Sequence, residues 1–219
     1  MKRAVSSLCI PLALLLLPGC AESLKAAKDV AHAAGEYKQA KSDFDAFEAE
    51  NQAKSDRGWE QGVALHDEYM AAPAPSPAQT ADEAKAWYEQ RNAIIQQTDQ
   101  HFAAVQLHTD RERGYRTHMM LGDMERRLID ELHGFEATLS ADDGRTMHAT
   151  CLIGLIESAI KHYNAWDGAY AEFDADGELA RTFKTEIETA KQHRDELELA
   201  WQRNGKIVMG DLSTKADAS

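Results

Sequence analysis

Cysteine is scarce in this chain: three among 219 residues, with Cys9 inside an N-terminal apolar run, Cys20 just after it and Cys151 alone in the body. A disulfide-stapled scaffold is therefore excluded, and stability has to come from packing. Proline is equally rare. Of five, two lie in the first eighteen residues and three cluster at Pro73, Pro75 and Pro77. No Val/Ile/Thr-rich alternating segment is present, which argues against a sheet. The apolar run from Ala4 to Leu17 is short of the ~20 residues that a membrane-spanning helix needs. Positive charge is in deficit, with 24 Lys and Arg against 37 Asp and Glu and a formal net charge of −13. Such a chain repels phosphate backbones, so nucleic acid is not an expected partner. Anionic headgroups repel it too, which argues against peripheral docking on a membrane by charge. Missing as well are Gly-x-Ser-x-Gly, His-Glu-x-x-His, a phosphate loop, Cys-x-x-Cys-His and a dinucleotide fingerprint, so no catalysis is indicated.

Ala, Glu, Lys, Gln and Leu, all good helix formers, dominate what is there. From Glu22 to about Met70 the seam Val30, Ala33, Tyr37, Ala40, Phe44, Phe47 steps by three and four, as a buried or coiled-coil stripe does. Asn51 and Lys54 interrupt it, Trp59, Val63 and Met70 resume it, and Gly58 marks a candidate break. The prolines of 71–77 forbid helix and predict a stiff extended connector. Ser76-Pro77-Ala78-Gln79 and Thr80-Ala81-Asp82-Glu83 both carry the capping-box pattern of a helix start. Ala84, Tyr88, Ile95, Phe102 and Val105 form the next apolar face, and Leu121, Met124, Leu128, Leu132, Phe135 and Leu139 continue it beyond a bend expected at Gly114. Ser140 to Gly144 read as a turn and a capped start. The most regular seam follows: Leu152, Ile156, Ala159, Tyr163, Trp166, Tyr170, Phe173. After Gly177 a last helix carries Leu179, Phe183, Ile187, Ala190, Leu197 and Trp201, with Asn204-Gly205 as its expected C-cap.

These signals predict an all-α protein, an elongated antiparallel bundle of three long, partly broken helices over about 21–72, 78–138 and 142–204. The alternative is a compact five-helix bundle broken at Gly114 and Gly177. The expected organisation is a signal peptide at 1–19, a helical bundle domain at 20–204 with the connector at 71–77, and a flexible tail at 205–219.

The N-terminus carries the sharpest motif. Lys2 and Arg3, the apolar run and Leu17-Pro18-Gly19-Cys20 have the layout of a secretory leader. With a cysteine directly after the small residue, the segment resembles the lipobox of bacterial lipoproteins over residues 1–22. That resemblance implies cleavage before Cys20 and acylation of Cys20, which becomes the membrane contact; loss of Lys2 and Arg3 would take the formal charge from −13 to −15. Ala21, in place of the Asp that marks inner-membrane retention in many Gram-negative bacteria, points by the same resemblance to the outer membrane with the domain in the periplasm. In a single-membrane bacterium the domain would face outward.

Nine histidines invite a metal reading. His101 and His108 lie seven apart on one helical face, and with His118 and the Met residues beside it they could offer donors to copper or haem iron. Asp29-x-x-His32 and Asp130-x-x-His133, followed by Glu36 and Glu136, echo the carboxylate–imidazole spacing of di-iron bundles without their paired inward Glu residues. A solvated face is the favoured reading of both. His148 and Cys151 are three apart, but no further ligand is near in sequence, so Cys151 reads as a small buried hydrophobe. From Glu172, the residues Asp174, Asp176 and Gly177 fall at calcium-loop positions three, five and six, yet Phe183 stands where the bidentate Glu is required. No cofactor is expected, and the leading expectation is a non-enzymatic, lipid-anchored envelope protein that binds a protein partner, as an adaptor or an immunity-type protein. The alternative is a metal- or haem-binding periplasmic bundle.

Overall fold

A computed structural model describes residues 20–106, 111–173 and 177–216. The fold is all-α: α1 (Cys20–Ala71), α2 (Ala81–Gln106), α3 (Arg111–Glu136), α4 (Ala141–Met147), a π-helical turn (His148–Leu152), α5 (Ile153–Phe173) and α6 (Glu178–Ala216), with no strand among the described residues. The leader at 1–19, His108, Asp174 and Asp176 lie outside the described residues. Residues up to Glu50 form one unit and those from Asn51 onward a second.

In the first unit the seam expected to be buried is open to solvent. Val30, Tyr37, Phe44 and Phe47 are 57–71% exposed. Heptad stepping makes a face that can be buried, but burial needs a partner surface.

The second unit holds the core. From α1 onward it receives Tyr69 at 1% exposure, while Met70, the seam residue expected there, is 39% exposed. Gly58 is no break, because α1 runs straight through it. It is a close-approach residue, as is Gly62: a Cβ at 58 would meet the His101 carbonyl oxygen of α2 at 2.6 Å, and one at 62 the Phe102 ring at 2.3 Å.

α2 starts at the second of the two capping signals. The Glu83 amide donates to Thr80 Oγ1 and the Thr80 amide to Glu83 Oε2, at 3.2 and 3.3 Å, which satisfies amides at the helix start. Residues 78–138 do not form one bent helix. α2 and α3 lie antiparallel, with Arg91 against Glu131 at 3.4 Å and Trp87 edge-on to Phe135. α2 ends at Gln106 and α3 begins at Arg111, so Gly114 is an ordinary residue inside α3.

Ser140 caps α4 as expected, accepting from the Asp143 amide at 3.1 Å. The backbone remains right-handed helical at Met147, His148 and Ile153, so α4, the π turn and α5 form one rod. Its seam is buried at Leu152, Ile156, Ala159, Tyr163 and Trp166, and opens only at Tyr170 and Phe173. The segment 142–204 also folds back on itself: Gly177 has φ +69°, a left-handed conformation that suits glycine, and α6 then runs antiparallel to α5. α6 bends at Phe183, whose φ and ψ leave the helical region and whose ring lies under the Arg116 guanidinium. Asn204-Gly205 does not end α6; the helix continues to Ala216, because a lone Gly weakens a helix without being forced to stop it.

Candidate functional site

α3 is the organising element, since polar groups on three of its turns meet partners from other helices. Near its middle, Glu125 sits one residue past Met124 on the apolar face and is only 4% exposed. Ser158 Oγ of α5 donates to Glu125 Oε1 at 2.6 Å, His162 Nε2 lies 3.8 Å from the same oxygen, and Glu125 Oε2 is buried without a hydrogen-bond partner among the described residues. His162 in turn faces His118 of α3, Nδ1 to Nδ1, at 3.4 Å. The group borders a cavity of about 240 Å³ to which α2 contributes Asn92, Gln96 and Asp99.

Burial dominates the electrostatics here. It pushes the Glu125 carboxyl up to about 8, with Asp99 adding to the rise and the Ser158 hydrogen bond and Lys161 opposing it. Burial also pushes His162 down to about 4, helped by His118, and lowers His118. At neutral pH the row Ser158–Glu125–His162–His118 therefore carries a protonated acid beside neutral imidazoles. The order matters chemically: glutamate, not histidine, contacts the serine hydroxyl, so this is not the Ser–His–acid sequence that activates a nucleophile. Such a row can donate and accept hydrogen bonds toward a small polar guest.

Two residues earlier on α3, Tyr163 Oη donates to Asp123 Oδ1, and His193 Nδ1 of α6 lies 3.4 Å from the phenol and 3.5 Å from the carboxylate. Burial raises the Tyr163 phenol, and Asp123 adds to it. This trio ties α3, α5 and α6 together.

At the C-terminal end of α3 is a third group, His133, Glu136 and His148. His133 Nδ1 is 3.4 Å from Glu136 Oε2, and His148 Nε2 contacts that same oxygen. One ligand atom from each lies within 4.8 Å of the others, the only such His/Cys/Asp/Glu group among the described residues.

No family model matches this chain, and neither a curated protein nor a solved structure matches it.

The histidines singled out in sequence have separate placements. His101 is half-buried on α2, His118 is held against His162, and neither belongs to the three-ligand group. His32 pairs with Glu36 one turn along, both well exposed. Asp130 lies 3.9 Å from Arg126, and Cys151 is buried in the core at 2%. The structure instead joins halves of two motifs: His133 and Glu136 from one, His148 from the other. Glu125 and Ser158 escaped notice. The available signal was an acidic residue four after Leu121 and three before Leu128, inside an apolar stripe.

Proposed function

We propose that this chain is a lipid-anchored envelope protein, held through acylated Cys20 in the outer membrane and facing the periplasm, which acts without catalysis by docking a protein partner. The observation that carries this reading is the exposed seam of α1. Val30, Tyr37, Phe44 and Phe47 expose large apolar side chains along one helical stripe. Contiguous apolar exposure of this kind marks interaction surfaces. Helix-in-groove or helix-on-helix docking reads such i, i+3, i+4, i+7 anchors. Asp43, Asp45, Glu48 and Glu50 flank the C-terminal part of the seam, so the partner that fits is an amphipathic helix with a basic flank.

A photo-crosslinking residue placed at Tyr37 or Phe44 in the cell envelope tests the reading. A single heterologous adduct, lost in Phe44→Asp/Phe47→Asp and weakened by raised salt, is the expected result. An adduct at twice the mass of the chain would replace the partner with a second copy. Adducts unchanged by the double substitution would overturn the docking seam.

A further inference from the structure

We propose that His133, Glu136 and His148 form a binding site for one divalent transition-metal ion, with zinc the ion the donors suit best. The site does not depend on the docking seam of α1. His133 and Glu136 are three apart on the last turn of α3 and so share one helical face. His148 comes from the π turn of the next rod, a local geometry that is rare and recurs at functional positions.

One distance already matches a single ion, and the contact between His148 Nε2 and Glu136 Oε2 would open to the same spacing on loading. With bonds of about 2.0–2.2 Å, a tetrahedral ion holds its donors roughly 3.3–3.5 Å apart. His133 Nδ1 and Glu136 Oε2 stand 3.4 Å apart, and the donor atoms of all three residues lie within 4.8 Å of one another. The two imidazole rings are 5.4 Å apart between centroids and inclined by 57°, so they do not stack.

The chemistry narrows the choice of ion. Two imidazoles and one carboxylate are a poor set for calcium or magnesium, which take oxygen, and no thiolate is present to favour copper(I). The set matches the His₂–carboxylate donors of open zinc sites, which leave a fourth position for water. Access is adequate, with the His133 and Glu136 side chains 39% and 36% exposed while His148 is 16% exposed. One further feature favours a cation: the site lies at the C-terminal end of α3, where the helix dipole is negative. His148 meets the site through Nε2, the nitrogen in contact with Glu136.

Calorimetric titration of chelator-treated full-length protein with zinc chloride tests the site. One ion should bind per chain. His133→Ala, Glu136→Gln and His148→Ala should each lose at least about 100-fold in affinity, the upper end of what a change merely behind the ligands causes. His32→Ala should bind as the parent does. Cobalt(II) should give the visible bands of a low-coordinate ion, absent in His148→Ala. If His148→Ala proves misfolded by circular dichroism, the half-exposed His133→Ala decides. No saturable binding, or equal binding in the ligand variants, would overturn the proposal.

Discussion

Arg127 Nη1 donates to the carbonyl oxygen of Tyr69 at 2.7 Å, joining the middle of α3 to the end of α1. The same guanidinium reaches the carbonyls of Met70 and Ala72, and its Nε meets Glu131 at 2.8 Å. The last carbonyls of a helix have no partner within it. Here one side chain supplies donors to three carbonyls where the proline connector begins, and Arg91 stacks 4.0 Å over the Tyr69 ring beside it.

Arg127→Ala should therefore lower stability by about 2–3 kcal/mol, the scale of charged hydrogen bonds whose acceptors are left partly buried. Arg127→Lys should recover less than half, because an ammonium keeps the charge but not the planar fork. Urea denaturation of the three proteins checks the order.

Trp166→Ala should cost about 3–5 kcal/mol, since Trp166 is 1% exposed in the core. His162→Ala should cost clearly less: its ring is 19% exposed and borders a cavity. A reversed order in equilibrium denaturation would mean that the polar row, not the aromatic core, holds α3 to α5.

Stability should fall as pH rises from about 6.5 to about 8. Glu125 titrates near 8 when folded against an ordinary 4.5, so the folded state holds a proton that the unfolded state has already released. His162 has the opposite displacement, about 4 against 6.5, and raises stability with pH only below 6.5. His162, joined by His118, opposes the glutamate in acid, and as pH rises past 6.5 their opposition fades and the glutamate sets the slope. Glu125→Gln should flatten the slope between pH 6.5 and 8 in thermal melts; an unchanged slope would reject the assignment to Glu125.

Cys20→Ser should abolish incorporation of a fatty-acid probe and leave the precursor uncut before residue 20. Label that persists in this variant would remove the lipid anchor from the proposed function.

The periodicity of α5 made its core face legible, because a 3.6-residue repeat depends only on neighbours along the chain. Leu152, Ile156, Tyr163 and Trp166 were readable as buried for that reason, and so was the Thr80–Glu83 cap, whose partners are three residues apart. Gly114 misled because a residue's cost to a helix is local, whereas the reversal between α2 and α3 is held by distant pairs such as Arg91 with Glu131.

By itself, then, the sequence determined the helical class, the apolar faces the helices present, and two of their starts, all consequences of interactions within about one turn. Tertiary structure alone decided which faces found partners. It left the α1 seam open although its spacing is as regular as that of α5, and it placed a buried glutamate beside Ser158 and His162. It also brought His148 to Glu136, twelve residues away, across a turn between two helices. Helical spacing specifies a direction around one axis. Where two axes lie relative to each other is set by packing, and a site assembled from two helices exists only once they have packed.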